Sequence, residues 1–148
     1  NYRITDFQSA LGISQLNRLE DFVEKRNKIA RIYNSFFKKY KFMKIPSVSK
    51  EVYHAYHIYP LQVNFSKTRL KKSVLFNRLK KRNIILQVHY IPIHLQPYYK
   101  KNFIIDKKTL NNSLEFYRNE CSLPIFPDLK LRTVEKICDA IISQIETH

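Results

Sequence analysis

The sequence Leu-Gln-Val-His-Tyr-Ile-Pro-Ile-His-Leu-Gln-Pro-Tyr-Tyr, residues Leu86–Tyr99, passes from an apolar strand into a polar loop within a few positions. It overlaps the apolar run Ile84–Val88, which is long enough for one strand and too short for a helix. Pro92 and Pro97 remove backbone donors and fix φ, so the chain must leave the sheet here. A rigid loop at the end of a strand commonly displays binding residues. The stretch therefore predicts a strand followed by a binding loop.

The loop is dense in hydrogen-bonding side chains, which are His89, Tyr90, His94, Gln96, Tyr98 and Tyr99. They favour a site that holds a polar ligand. The alternative is that these imidazoles and phenols only cap the edge of a small domain, and spacing alone does not separate the two. His89 and His94 form a weak metal motif, because no Cys or carboxylate lies near them in the sequence. We expect no metal site.

Length and composition indicate one folded domain. The chain has 148 residues, of which 44% are hydrophobic and 14% aromatic, enough to bury a core and too apolar for disorder. No apolar run approaches the ~18 residues of a membrane helix, so we expect no membrane partner. The first residue is Asn1 and a helix signal follows at once, from which we expect a piece of a longer polypeptide.

A strongly basic composition leaves other functions open. Lys and Arg number 27 against 12 acidic residues, a formal charge of +15, which can indicate nucleic acid, anionic membranes or phosphorylated ligands as partners. The basic pairs are scattered over the candidate helices and loops, however, and abundant Lys, Asn, Ile, Tyr and Phe are typical of an A/T-rich genome. We expect no dedicated nucleic-acid partner. A basic nucleic-acid-binding module and a non-catalytic dimerisation domain remain the alternatives.

The two cysteines, Cys121 and Cys138, have neither a Cys-x-x-Cys spacing nor the number that a disulfide framework needs. Cys138 falls on the apolar stripe of the last helix and is predicted to be a small core residue. This usage favours a reducing compartment, and we expect a cytoplasmic protein.

A helical lead-in is predicted over residues 1–42. Thr5-Asp6-Phe7-Gln8 fits a capping box that starts the first helix. Gly12 lies in the middle of that helix, where glycine costs ~1 kcal/mol relative to alanine, so it predicts that another backbone approaches closely. Asn1-Tyr2-Arg3 enters the helix N-terminus, where free amides favour anions. The clearest helix follows over Leu19–Tyr40.

Arg26 is the one polar break in the apolar stripe of that helix, and we expect it to snorkel to solvent. Further helices are predicted from a cap at Ser66 or Thr68 through Arg82, over Thr109–Asn119 and over Thr133–Ile145, with strands over Tyr53–Val63, Ile84–Val88 and Cys121–Pro127. Pro60 predicts an edge or a bulge in the first strand. His54 and His57 would face opposite sides of that strand, so they are not expected to share a metal.

This order of elements predicts an α/β (α+β) fold, a short sheet with helices packed on one face after a two-helix lead-in. We expect a single domain over residues 1–148, with residues 53–148 as the α/β unit. There is no Gly-rich phosphate loop, no nucleophile elbow and no close carboxylate pair on the predicted binding loop. The residues alone therefore predict the binding half of a site, without a reactive group.

Three separated blocks carry a family resemblance. The first twelve residues, Asn-Tyr-Arg-Ile-Thr-Asp-Phe-Gln-Ser-Ala-Leu-Gly, resemble the Asn-Tyr-Arg-x-[Ser/Thr]-[Asp/Glu]-x-Gln-x-Ala-Leu-Gly block of the DegT/DnrJ/EryC1/StrS sugar aminotransferases. Residues 87–94, Gln-Val-His-Tyr-Ile-Pro-Ile-His, resemble the strand-to-loop segment that lies near the sugar in that family. Ser122-Leu123-Pro124 fits its last strand. The blocks occur in the family's order, and the resemblance covers essentially the whole chain.

The resemblance implies the small C-terminal domain of a fold type I aminotransferase that uses pyridoxal 5'-phosphate and forms a homodimer with shared sites. Asn1 would contact the cofactor phosphate of the other subunit, and Arg3 would lie near the nucleotide phosphates. His89 and Tyr90 would lie close to a bound sugar nucleotide, with His94 as a further substrate-binding candidate. The substrates implied are glutamate and a UDP-linked 4-keto-6-deoxy-HexNAc that is aminated at C4.

One departure from the family pattern concerns catalysis. The family's Schiff-base lysine, and the aspartate that pairs with the pyridinium nitrogen, lie in the large domain upstream of the Asn-Tyr-Arg block. This chain has no counterpart of either. Because pyridoxal phosphate chemistry needs both groups, the resemblance implies that the parent protein is an enzyme, that this chain contains no catalytic residue, and that alone it is inactive.

Overall fold

The computed structural model describes residues 2–104 and 106–146. Six α-helices occur in these ranges: α1 (Asp6–Leu16), α2 (Leu19–Phe37), α3 (Lys72–Lys80), α4 (Pro97–Asn102), α5 (Asn111–Asn119) and α6 (Leu131–Glu146). The strands are β1 (Met43–Lys44), β2 (Tyr59–Val63) and β3 (Glu120–Leu123), and short 3-10 helices span Ile93–Leu95 and Lys107–Leu110. Within the described ranges, no helix has both the length and the apolar character needed to cross a membrane.

The strands form one antiparallel sheet in the order β1-β2-β3. β2 pairs with β3 from Tyr59, opposite Leu123, to Gln62, opposite Glu120. β1 reaches β2 only at Gln62 and Val63, so at Pro60 no strand of the described chain lies on that side. Pro60 therefore lacks a neighbouring strand on one side, although β2 as a whole is the central strand and not the predicted edge. The prediction of a mixed α/β (α+β) fold with a short sheet is confirmed.

The core lies against one face of this sheet. Successive residues of a strand point to opposite faces, and the alternate residues Tyr59, Leu61 and Val63 are fully buried while Pro60 and Gln62 are half-buried. Tyr59, Leu61 and Val63 belong to a single core cluster with residues of α2, α3 and α6. Every apolar position predicted for the last helix is buried: Val134, Ile137, Cys138, Ile141, Ile142 and Ile145. Burial raises the pKa of the Cys138 thiol to about 12, as suits a packing residue.

Two phenols join α2 to the sheet. The Tyr33 hydroxyl donates to the Pro124 carbonyl at 2.8 Å, and the Tyr59 hydroxyl donates to Asn34 Oδ1 at 2.6 Å. The two rings pack together with centroids 4.9 Å apart. Burial raises the pKa of both phenols, so each stays a hydrogen-bond donor across the ordinary pH range.

All three predicted strands are shorter than expected, and Cys121–Pro127 is a strand only through Leu123. Ile84–Val88 forms only one bridge, from Gln87 to Ser122, because the next donor, the N–H of His89, bonds a side-chain oxygen of Glu120 instead of continuing the ladder. Tyr53–Val63 becomes a strand only from Tyr59.

The residues before Tyr59 do not join the sheet because α2 occupies their carbonyl groups. Asn27 donates its amide to the His54 carbonyl at 2.9 Å, and Arg26 donates to the carbonyls of Tyr56 and His57. Tyr56 also has a positive φ of 46°, which is not a strand conformation. β1 was not predicted, because two residues carry no periodic signal.

Helix starts were predicted with mixed success. The capping box of α1 is confirmed: the Gln8 N–H donates to Thr5 Oγ1 at 3.3 Å and the Thr5 N–H donates to Gln8 Oε1 at 2.9 Å. The cap predicted for α3 is wrong, since that helix begins after Lys71 without a side-chain cap. Thr68 instead donates its hydroxyl to backbone carbonyls of the preceding turn.

The prediction for Gly12 is wrong within the described chain. A Cβ placed there would meet no atom within 4 Å, and α1 has no buried residue. The glycine therefore does not mark a close backbone approach inside this chain. Its neighbours Phe7, Leu11 and Leu16 are exposed by 92%, 63% and 66%, so the helix rests on little of the described structure.

Candidate functional site

The site grows from the alternation of residues along β3. Cys121 and Leu123 belong to the core cluster, so Glu120 and Ser122 lie on the other face of the strand. The antiparallel bridge between Gln87 and Ser122 brings the following segment alongside β3. His89 lies two residues after Gln87, and Glu120 lies two residues before Ser122, so the two are opposite each other. The register thus places the imidazole beside a buried carboxylate.

A chain of hydrogen bonds links these three side chains. His89 Nδ1 lies 2.8 Å from Ser122 Oγ, the Ser122 hydroxyl donates to Glu120 Oε1 at 2.5 Å, and the His89 backbone N–H donates to Glu120 Oε2 at 3.1 Å. Glu120 is fully buried and Ser122 is 4% exposed. The peptide bond between His89 and Tyr90 is cis. Both carboxylate oxygens of Glu120 accept a hydrogen bond. The half-buried imidazole of His89 is held at its Nδ1 by Ser122.

Arg26 organises the wall of the site, and the expectation that it snorkels to solvent is wrong. Its Nη1 donates to the carbonyls of Tyr56 and His57, both at 3.1 Å, and of Ile125 at 2.9 Å. Partial burial lowers its pKa from the usual value, yet arginine stays charged at any ordinary pH. One guanidinium on α2 therefore fixes the segment before β2 and the segment after β3 relative to each other.

These elements enclose a cleft of about 420 Å³, whose lining residues are Arg26, His57, Ile58, Ile85, Gln87, His89, Ser122, Leu123, Pro124 and Ile125. The polar groups come from two imidazoles, an amide and a hydroxyl, and the guanidinium is partly committed to carbonyls. The remaining surface is apolar. Such a lining suits a compact polar ligand that is uncharged where it enters, because the cleft offers oriented hydrogen bonds, and its described lining residues include no free carboxylate or amine.

The structure separates the predicted site residues. His89 lines the cleft; Tyr90 is 75% exposed and packs edge-on against the His89 ring, with centroids 4.7 Å apart. His94, in the 3-10 helix Ile93–Leu95, instead lines a second cavity of about 670 Å³, and its buried Nε2 has no partner among the described residues. Arg3 is exposed ahead of α1 and is not one of the residues that line the cleft. Asn1 lies outside the described residues.

Sequence analysis missed three of the residues that build the cleft. Glu120 and Ser122 lie on a short, mostly apolar strand, and a single carboxylate there forms no recognisable sequence motif. Only the pairing of Ser122 with Gln87 reveals their role. Arg26 was noticed as a break in an apolar stripe. A buried break of that kind could have indicated an organising cation, since a charge inside a stripe must find partners.

A comparison with protein-family models decides the family. The model described as the DegT/DnrJ/EryC1/StrS aminotransferase family matches residues 1–142. The chain belongs to this family. The resemblance found in its three sequence blocks is thereby confirmed.

Among relatives of this DegT-family chain is the UDP-4-amino-4,6-dideoxy-N-acetyl-beta-L-altrosamine transaminase of Campylobacter jejuni, 32% identical over 146 residues. Among solved structures is Helicobacter pylori PseC, an aminotransferase involved in the biosynthesis of pseudoaminic acid, with a TM-score of 0.87 at 29% identity over 100% of the chain. A second is the PLP form of the putative sugar aminotransferase Spr1654 of Streptococcus pneumoniae, with a TM-score of 0.86 at 25% identity over 98% of the chain.

The DegT-family chain spans only part of these proteins. The match to the Campylobacter transaminase includes 99% of this chain but only 38% of that relative. The matches to Helicobacter pylori PseC and to Spr1654 include 39% and 36% of those proteins. Its fold is thus the fold of one region of these aminotransferases, as expected for their C-terminal domain.

Pyridoxal phosphate requires a lysine amine for the Schiff base and an acid or arginine at the pyridine nitrogen. No lysine of the described ranges lines the cleft, and the nearby carboxylate, Glu120, already accepts two hydrogen bonds. Lys72 is half-buried, and its Nζ donates a hydrogen bond to the Tyr117 carbonyl at 2.7 Å. It is not one of the residues that line the cleft. The cleft therefore does not fit the cofactor by itself.

Proposed function

We propose that this chain is the sugar-binding C-terminal domain of a pyridoxal phosphate-dependent aminotransferase. The domain comprises residues 1–148, with 1–42 as the lead-in and 53–148 as the α/β unit. The whole enzyme, cytoplasmic and homodimeric, transfers an amino group from glutamate to C4 of a UDP-4-keto-6-deoxy-HexNAc. Family membership supports the aminotransferase class, and the 4-amino-4,6-dideoxy sugar in the Campylobacter relative's name supports the substrate.

The observation on which the proposal rests is the position of His89. It belongs to the segment that resembles the family's sugar-proximal block, and the structure shows it in a cleft with hydroxyl, amide and imidazole groups but no free carboxylate or amine among the described lining residues. Neither a nucleic-acid-binding module nor a purely dimerising domain requires a cleft of this kind.

The chain's own residues bind and orient in this scheme. The cofactor, held mainly by residues outside this chain, supplies the electron sink for amino transfer. His89 and Tyr90 contact the sugar, Arg26 keeps the cleft walls in place, and His94 is a further substrate contact. Arg3 lies near the nucleotide phosphates, and Asn1 contacts the cofactor phosphate in the partner's site. No residue of this chain transfers a proton to or from the reacting carbon.

The test is a hybrid enzyme in which this chain replaces the matching 146 residues of the Campylobacter transaminase. We expect glutamate-dependent amination of the UDP-4-keto-6-deoxy-HexNAc, measured by mass spectrometry of the sugar nucleotide. The control is the same hybrid with a UDP-4-hydroxy sugar, which has no carbonyl to aminate. A hybrid that binds the cofactor, as shown by its visible absorbance, but leaves the keto sugar unchanged would contradict the proposal.

The chain alone is predicted to form no specific covalent adduct with pyridoxal phosphate. After mixing and borohydride reduction, peptide mass spectrometry should find only scattered, substoichiometric labelling of exposed lysines. Lys72 is the lysine to watch, because burial lowers its pKa and so frees its amine as a nucleophile. One adduct per chain at a single lysine would show that the chain carries its own cofactor site.

A further inference from the structure

The protons along the Glu120–Ser122–His89 chain can be placed by counting donors. An ionised carboxylate only accepts hydrogen bonds, and Glu120 Oε2 accepts the backbone N–H of His89 at 3.1 Å. Ser122 has one hydroxyl proton, which it donates to Glu120 Oε1 at 2.5 Å. Toward His89 Nδ1, 2.8 Å away, Ser122 Oγ therefore has only lone pairs to offer. The bond forms if Nδ1 carries the proton.

The contacts of Glu120 are those of a carboxylate that only accepts hydrogen bonds. Two donors, an amide and a hydroxyl, converge on its two oxygens. A protonated carboxyl would have to reverse the Ser122 bond to remain paired.

We propose that Glu120 and Ser122 are positioning residues that hold His89 as the Nδ1–H tautomer and thereby make its Nε2 a hydrogen-bond acceptor in the cleft. Which ring nitrogen carries the proton is set by the bond that the other nitrogen makes. Nε2 lies on the ring edge opposite Nδ1 and has no partner among the described residues. This inference rests on the proposed function only in taking a sugar as the ligand.

The tautomer selects the chemical class of the ligand group. A neutral imidazole with a free Nε2 accepts from a hydroxyl or an amide N–H, both of which a HexNAc sugar offers. It repels a phosphate or carboxylate oxygen, which can only accept. The cleft wall at His89 is therefore a subsite for the sugar ring and its acetamido group, and the diphosphate of the nucleotide binds elsewhere.

Glu120→Gln reverses this arrangement without changing the shape of the side chain. If the amide oxygen accepts the His89 backbone N–H, the amide nitrogen must donate to Ser122 Oγ. Ser122 then donates its own proton to His89 Nδ1, and the ring proton moves to Nε2. Glu115→Gln is the matched control, because Glu115 is exposed on α5 and is not part of the hydrogen-bond chain of Glu120, Ser122 and His89. Ser122→Ala removes the link altogether.

The experiment is two-bond ¹H–¹⁵N correlation NMR of the chain labelled with ¹⁵N-histidine, at a pH about two units above the ordinary histidine pKa of ~6.5. The His89 signals are assigned from their loss in His89→Asn. We expect a protonated Nδ1 and a bare Nε2 in the wild type and in Glu115→Gln, the reverse in Glu120→Gln, and loss of the Nδ1–H preference in Ser122→Ala. A merely structural role would leave the tautomer unchanged in every folded variant.

A wild-type His89 with its proton on Nε2 would overturn the inference, and so would an unchanged tautomer in a folded Glu120→Gln. If Glu120→Gln does not fold, Ser122→Ala decides, and retention of the Nδ1–H signature there would overturn it. Because no sugar nucleotide is present, this result is independent of turnover by the hybrid enzyme. An inactive hybrid with the expected tautomers would contradict the proposed function alone.

Discussion

Arg26→Met should lower the free energy of unfolding by about 3 kcal/mol, a large share of the ~5–15 kcal/mol typical of a domain. Methionine keeps the length and apolar contacts of the side chain but removes the donor that satisfies the carbonyls of Tyr56, His57 and Ile125. Hydrogen bonds to a charged group contribute about 1.5–3 kcal/mol each, and here one nitrogen shares its hydrogens among three acceptors.

The matched control is Arg31→Met on the same helix. Arg31 is exposed, so its replacement should change the unfolding free energy by no more than ~0.5 kcal/mol. Urea unfolding followed by circular dichroism compares the two variants directly. Equal midpoints for both variants would mean that the three carbonyls are satisfied by water when the guanidinium is absent and that Arg26 does not organise the cleft.

Local patterns in the sequence predicted the parts of the fold that depend on local interactions. Two features were predicted correctly, the capping box at Thr5 and Gln8 and the buried stripe of α6. Both depend on residues three or four positions apart, a spacing that can be read directly from the sequence. The shortened strand at Ile84–Val88 was overpredicted, because an apolar run reports burial and not pairing. Here the side chain of Glu120, on the neighbouring strand β3, accepts the His89 N–H that a longer ladder would use.

The site was predicted in part for the same reason. His89 stood out by its neighbours in the sequence, whereas Glu120 and Ser122 lie 31 and 33 residues away and meet it only through the register of the bridge at Gln87. His94 was grouped with His89 by proximity along the chain, but the 3-10 helix directs it into another cavity. Sequence spacing within a proline-rich loop does not report which side of the loop a side chain takes.

His89→Ala in the hybrid enzyme should reduce kcat/KM for the sugar nucleotide by one to two orders of magnitude. The imidazole lines the cleft and is held by Ser122, so its loss removes an oriented hydrogen bond. A bond of about 1.5–3 kcal/mol corresponds to roughly a tenfold to hundredfold change, since 1.36 kcal/mol is tenfold in rate. Cofactor binding should be unaffected. Asn1→Ala should show the opposite pattern, with weaker cofactor binding, because its proposed partner is the cofactor phosphate.

Cofactor occupancy and kcat/KM, measured side by side in the hybrid enzyme with and without His89→Ala, test the central claim most directly. The account predicts full occupancy in both proteins, equal thermal midpoints, and a kcat/KM about 10- to 100-fold lower in the variant. Unchanged kcat/KM in the variant would contradict it. So would a variant that loses occupancy, thermal stability and turnover together, because His89 would then be a structural cap of the loop and not a residue that contacts the sugar.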